Sequence, residues 1–134
     1  WRRSYDIAPP LLSDDDKRHP RFNEKFKNIK NFPVGESLKD VIDRLNPFWN
    51  QYLKNIKKYP DNHLIVAHSN SLRAIVKILD NLSDKEIVSV NIPTGVPLVY
   101  TLSSDCDVIN KNYLIDQAKL EEKQTIVINQ GKVK

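Results

Sequence analysis

Residues 64–73 read Leu64-Ile65-Val66-Ala67-His68-Ser69-Asn70-Ser71-Leu72-Arg73. A short apolar run ends at His68, and a Ser/Asn/Ser cluster then opens an amphipathic pattern. A run that is apolar at every position is typical of a central strand covered on both faces, and the pattern after it indicates a helix. The stretch therefore predicts an α/β fold in which a strand ends at the N-terminus of a helix.

This junction is a candidate anion site. The first N–H groups of a helix have no partner inside the helix, and the positive end of the helix dipole lies there, so both favour a bound anion. The alternative is that His68 is a partly buried histidine at a strand end and that Asn70 or Ser71 is an ordinary N-cap. The residues alone leave both interpretations open.

Composition narrows the class of protein. The 134 residues fit one domain, and no apolar run approaches the roughly 20 residues of a membrane span, so we expect no membrane partner. The net charge is +4, but the lysines are spread along the chain without a clustered basic face, so we expect no nucleic-acid partner.

The histidines and the cysteine predict neither a metal site nor a disulfide. His19, His63 and His68 are scattered along the sequence, without the spacing of metal ligands, so no metal is expected. Cys106 is the single cysteine and cannot form a disulfide within the chain, which favours a reducing compartment.

Before the junction, one long helix follows an irregular segment. Prolines interrupt residues 7–35, which we predict to be either a lid over a site or extended chain on the surface. Apolar residues at three- and four-residue intervals predict a helix over Glu36–Lys58, with a kink or a break one turn before Pro47. Two adjacent guanidiniums at Arg2 and Arg3 suit phosphate or carboxylate, or mark a solvated helix end.

After the junction, the pattern predicts smaller elements. We expect a helix to about Asn81, a short helix opened by a capping box at Ser83-Asp84-Lys85-Glu86, and a glycine-dependent turn at residues 91–97. Residues 97–102 and 108–114 are predicted to form a hairpin, and the polar tail 116–134 to be partly helical and frayed.

Four segments, in this order and spacing, resemble the cofactor-dependent phosphoglycerate mutases of the histidine phosphatase superfamily. They are Trp1-Arg2-Arg3, Gly35-Glu36-Ser37-Leu38, Ala67-His68-Ser69-Asn70-Ser71-Leu72-Arg73 and Asn91-Ile92-Pro93-Thr94-Gly95-Val96-Pro97-Leu98-Val99-Tyr100. The resemblance implies a mainly parallel sheet with helices on both faces. It also implies that residues 1–134 are the C-terminal part of one such domain, incomplete on its N-terminal side.

The resemblance implies a cytoplasmic glycolytic isomerase that interconverts 2- and 3-phosphoglycerate through a phosphohistidine, with 2,3-bisphosphoglycerate as the priming cofactor. His68 would donate a hydrogen bond to the transferring phosphoryl group. Ser69 and Asn70 would offer donors at the helix N-terminus, and Arg2 and Arg3 would hold the phosphate or carboxylate of the substrate. Whether the protein forms a homo-oligomer is left open by the sequence.

The sequence departs from the family pattern in two ways. The family's nucleophile lies in an Arg-His-Gly motif that does not occur here, so the 134 residues alone are expected to be inactive. Ser69 stands where the family most often has glycine. Two alternatives therefore stay open: a noncatalytic remnant or truncated piece that binds phosphorylated ligands or pairs with a partner, and a phosphatase of the same superfamily.

Overall fold

A computed structural model describes residue 1, residues 4–30, residue 32 and residues 35–130. Two short 3-10 turns lie in the irregular N-terminal segment, and four helices and two strands follow. In chain order, these are the turns Pro20–Phe22 and Glu24–Phe26, α1 (Leu38–Lys58), α2 (Ser69–Leu79), α3 (Glu86–Ser89), β1 (Leu98–Leu102), β2 (Val108–Tyr113) and α4 (Gln117–Asn129).

The helix α1 forms because its start is capped and one of its faces is apolar. The Ser37 hydroxyl accepts a hydrogen bond from the Asp40 N–H, and the Asp40 carboxylate accepts one from the Ser37 N–H, which is a capping box. The buried stripe includes Trp49, at 2% exposure, as its spacing predicted. Pro47 lies inside the helix, which continues to Lys58, so of the two predicted outcomes the break does not occur and the kink stays a prediction.

The core lies where α1 packs against α2 and α3. Its buried side chains come from all three helices: Leu38, Val41, Ile42, Ala74 and Ile87. Both Ala74 and Ile87 are 0% exposed, so other protein atoms surround them on every side. The predicted capping box at the start of α3 is confirmed, because Ser83 and Glu86 bond each other's backbone N–H groups. This packing fixes the N-terminal ends of α1 and α2 beside each other.

The hairpin prediction is confirmed. Strands β1 and β2 pair antiparallel, with Leu98 opposite Tyr113 and Leu102 opposite Val108. Lys111 of β2 forms an ion pair with Asp80 at the C-terminal end of α2, which ties the hairpin to that helix. The predicted helical tail is the helix α4, which begins at its N-cap Asp116.

The turn that precedes the hairpin also agrees with its prediction. Gly95 has a φ of +73°, in the left-handed region that favours glycine, so the turn at residues 91–97 does depend on it. The Gln124 side chain donates to the Asn91 carbonyl, 3.4 Å away, and thereby connects α4 to this turn.

The strand predicted at Leu64–Ala67 is not formed. Within the described ranges, the one sheet is the antiparallel β1–β2 pair, so the predicted parallel sheet with helices on both faces is not observed. Leu64 and Val66 are 86% and 85% exposed. A β-ladder needs a neighbouring strand for its N–H and C=O groups, and no described residue supplies one here. The apolar run predicts a buried strand, but within the described residues it is neither paired nor buried at Leu64 and Val66.

The capping box of α1 gives the protein a dependence on pH. The Ser37 hydroxyl and N–H donate to the Asp40 carboxylate at 2.6 and 2.9 Å, and these bonds lower the pKa of Asp40. A pKa that is lower in the folded state stabilises the fold above the unfolded pKa. That contribution is lost as the pH falls through the folded pKa. We therefore expect resistance to urea to fall below about pH 4, the ordinary range of a carboxyl pKa.

The matched variant is Ser37→Ala, which removes the hydroxyl bond and returns the pKa of Asp40 toward its ordinary value. The fall of the urea midpoint between about pH 5 and pH 2.5 should be smaller in this variant than in the wild type, because less of the folded-state shift remains. An equal fall in both proteins would contradict the assignment.

Candidate functional site

A cavity of about 410 Å³ opens at the N-terminal end of α2. His68, Ser69, Asn70 and Arg73 line it from α2 and its cap, and Glu36 and other residues line it from the start of α1. The structure thus brings together three of the side chains singled out from the sequence: His68, Ser69 and Asn70. The first two are exposed and Asn70 is half-buried, so all three are accessible from the cavity.

The backbone of α2 fixes the His68 ring. His68 is the N-cap of the helix, and its Nδ1 accepts a hydrogen bond from the Asn70 N–H at 3.3 Å. An imidazole nitrogen that accepts carries no proton, so the proton of a neutral ring is on Nε2. Nε2 is therefore a hydrogen-bond donor, and it is the ring nitrogen that remains for a ligand.

This geometry corrects the alternative in which His68 is a partly buried strand-end histidine and Asn70 or Ser71 is the N-cap. Neither Asn70 nor Ser71 is the N-cap, because both lie inside α2, which begins at Ser69. His68 itself is the cap, and it is an exposed residue, so it is not a partly buried strand-end histidine. Sequence reasoning favoured Asn and Ser as caps because their short polar side chains are the commonest ones there.

Ser69 occupies the first helical position of α2. Its φ is not among the positive values of the described residues, so the backbone there does not require the glycine that the family most often has. The side chain is exposed at the cavity, and a hydroxyl can donate as well as accept. At this position a serine therefore adds a side-chain donor to the helix N-terminus.

The electrostatics of the cavity favour an anion despite an acidic residue in its wall. The Glu36 carboxylate accepts from Arg44 Nε at 2.6 Å and from Arg44 Nη2 at 2.9 Å. This bidentate ion pair with Arg44 offsets the negative charge of Glu36. The N-terminal end of α2 adds a partial positive charge. The lining thus combines donors with a compensated carboxylate.

Arg73 is a cavity residue to which sequence reasoning gave no role. Its Nη2 donates to the Ile87 carbonyl at 2.7 Å, and its Nη1 lies 3.4 Å from the Asn70 Oδ1. The signal in the sequence is the spacing of three between Asn70 and Arg73, which places both on one face of a helix.

The predicted roles of Arg2 and Arg3 fall outside the described residues. Trp1 and Ser4 on either side of them line the cavity, as do Ile7 and Pro9 from the irregular segment. The structure therefore places the start of the segment 7–35 at the border of the site. The two 3-10 turns, Pro20–Phe22 and Glu24–Phe26, lie further along the same segment.

The other two histidines lie elsewhere and have other partners. His19 is buried in the irregular segment, where its Nδ1 accepts from the Arg21 N–H at 3.1 Å. His63 Nδ1 lies 3.1 Å from the Tyr52 hydroxyl. Among residues whose placement is described, no cluster of His, Cys, Asp or Glu could hold a metal ion. The helices described include none long and apolar enough to span a bilayer.

Comparison with known proteins identifies relatives of the chain. It is 52% identical to a 2,3-bisphosphoglycerate-dependent phosphoglycerate mutase of Treponema denticola, over 100% of the chain and 55% of the relative. Mutases with the same name from Lachnoclostridium phytofermentans and Parabacteroides distasonis are 47% and 45% identical, over 99% and 100% of the chain and 54% and 55% of their own lengths. The chain thus spans about half of the length of the curated relatives it matches.

The match to a protein family extends over residues 11–109, which include α1, α2, the cavity residues of α2 and the first strand of the hairpin. The family has an α/β fold, of which the described residues show the helices and one antiparallel pair of strands. The resemblance drawn from the four segments is confirmed at this level: the chain belongs to branch 1 of the histidine phosphatase superfamily.

Proposed function

We propose that the full-length protein containing this chain interconverts 2- and 3-phosphoglycerate in the cytoplasm, primed by 2,3-bisphosphoglycerate. The observation that carries the proposal is the hydrogen bond from the Asn70 N–H to Nδ1 of His68. Its Nδ1 is bonded by the backbone of α2, which leaves a donor at Nε2 beside an anion-favouring helix end. The names of three relatives supply the substrate class.

The roles of the residues follow from the chemistry of phosphoryl transfer. Negative charge is spread over the oxygens of the transferring group, so catalysis needs donors held in place around it. His68 donates from Nε2, and Ser69 and Asn70 donate from the start of α2. Arg2 and Arg3 hold the phosphate or carboxylate. These donors also fit a bisphosphoglycerate, which supplies the priming phosphoryl group when it is bound.

The nucleophile lies outside these 134 residues. The three histidines of the chain stand in Arg-His-Pro, Asn-His-Leu and Ala-His-Ser, so none forms the Arg-His-Gly motif of the family. We propose that residues 1–134 are the C-terminal part of the domain and that the motif precedes Trp1. The segment Leu64–Ala67, in which Leu64 and Val66 are exposed and no ladder partner is described, supports a part of the domain outside these residues, on either side of them.

The test compares the 134-residue chain with the full-length protein. Conversion of 3- to 2-phosphoglycerate is followed with an enzyme that consumes only 2-phosphoglycerate, while released inorganic phosphate is measured separately. We expect turnover from the full-length protein only, with little free phosphate. Mutase turnover from the 134 residues alone would contradict a nucleophile outside them.

Each alternative has its own outcome. Phosphate release without isomerisation would indicate a phosphatase of the same superfamily, and binding of phosphoglycerate without turnover by the full-length protein would indicate a noncatalytic remnant. The gene sequence tests the position of the chain within the domain. We expect in-frame codons for Arg-His-Gly upstream of Trp1. If these codons lie downstream of residue 134 instead, the C-terminal assignment is contradicted.

A further inference from the structure

The Arg73 guanidinium connects the cavity to the core behind it. It lies one turn after Asn70 on α2 and lines the same cavity. Its Nη2 donates at 2.7 Å to the carbonyl of Ile87, a residue of α3 that is 0% exposed. Because Ile87 is locked into the core, this bond gives the guanidinium a fixed anchor.

The same guanidinium determines which end of the Asn70 amide it faces. Arginine carries only donors, so the group that Asn70 turns toward it is its oxygen, 3.4 Å from Nη1. The NH₂ end is then the part of the amide that can meet an anion. The reversed amide would place its oxygen toward a phosphate and repel it.

We propose that Arg73 is a positioning residue: anchored on the Ile87 carbonyl, it holds the Asn70 amide with its NH₂ group available to the phosphorylated ligand. The proposal rests on the proposed function, in which Asn70 is a phosphate ligand. It predicts that the planar fork matters more than the charge. A lysine ammonium has the charge but cannot reproduce the planar fork that spans the carbonyl and the amide.

The first test is a double-mutant cycle in the full-length protein. Arg73→Lys should raise the KM for 3-phosphoglycerate about tenfold, the scale of one lost hydrogen bond to a charged group, with a smaller change in kcat. In an Asn70→Ala background, the same substitution should change KM less than about twofold, because its target is gone.

Two outcomes of the cycle overturn the proposal. If Arg73→Lys keeps the wild-type KM, the charge alone is what matters. If the effects of the two substitutions are additive, Arg73 does not act through Asn70. Arg73→Gln is measured beside Arg73→Lys, and a thermal melt of each variant separates a loss of folded protein from a change in KM.

The second test needs no activity. The side-chain NH₂ resonances of Asn70 are assigned in the ¹⁵N-labelled full-length protein by their loss in Asn70→Asp. Arg73→Lys should shift them in the absence of ligand. Lys77→Ala is the matched control, because Lys77 also donates from α2 to a carbonyl outside the helix, that of Leu82, and does not line the cavity.

An unshifted Asn70 signal in Arg73→Lys, or an equal shift in Lys77→Ala, overturns the proposal. If the wild-type protein does not isomerise phosphoglycerates, the proposed function fails, while the resonance comparison still decides whether Arg73 holds the Asn70 amide. The two failures are thereby distinguishable.

Discussion

Replacing His68 by alanine in the full-length protein is expected to lower the mutase kcat by roughly 10² to 10³-fold, the usual loss when one preorganised donor is removed from a transition state. The reason is the fixed tautomer. The Asn70 N–H holds Nδ1 of the ring at 3.3 Å, so Nε2 carries the proton and can donate without reorganising. Because the charge on the phosphoryl oxygens is redistributed during transfer, kcat should suffer more than KM.

Two further variants separate catalysis from helix capping. His68→Asn keeps a good N-cap but removes the imidazole, so its kcat should fall as in His68→Ala while its stability stays near that of the wild type. His63→Gln is the control histidine, because His63 contacts Tyr52 and does not line the cavity. It should keep nearly full turnover. Near-normal turnover in His68→Asn would remove His68 from the mechanism.

The substitution Ile87→Ala is expected to lower the free energy of unfolding by about 2–5 kcal/mol, the range for truncating a fully buried aliphatic side chain. Ile87 is 0% exposed and belongs to the cluster that joins α1, α2 and α3. Truncation removes contacts with both long helices and leaves a void between them. Urea unfolding of the full-length protein measures the change.

Ile87→Val is the conservative control and should cost only about 0.5–1.5 kcal/mol. Phe48→Ala is a control for side-chain size, because Phe48 is 58% exposed and its truncation leaves no internal cavity. If Ile87→Ala were no more destabilising than Phe48→Ala, the cluster around Ile87 would not be the core of this part of the protein.

Local elements could be predicted from the sequence, because their determinants are a few residues apart. The helix α1 shows its apolar period, Ser83 and Glu86 show a capping box, and the hairpin shows two short runs around a polar turn. The strand predicted at Leu64–Ala67 is not formed, because a ladder also depends on a neighbouring strand. The apolar pattern is local and predicts cover on both faces, but it carries no information on whether a neighbouring strand is present.

The candidate site likewise has features that depend on neighbouring residues, which could be predicted, and features that depend on distant ones, which could not. The sequence placed His68, Ser69 and Asn70 at a helix N-terminus, which is a local property, and the structure brings them to one cavity. It did not reveal that the imidazole itself caps the helix, because the commoner caps Asn and Ser stand beside it. Arg73 was missed because its role depends on the Ile87 carbonyl, fourteen residues away on another helix.

The segment Leu64–Ala67, which forms no strand within the described ranges, lies directly before the histidine of the candidate site. His68 is joined to Ala67 by one peptide bond, and its ring projects from the end of a stretch that has no ladder partner within the described ranges. A strand that paired with this stretch would add a second constraint on the backbone beside the imidazole, besides the hydrogen bond from the Asn70 N–H. Until such a strand pairs with it, the stretch leaves backbone N–H and C=O groups that another chain could pair with, so its pairing also bears on aggregation.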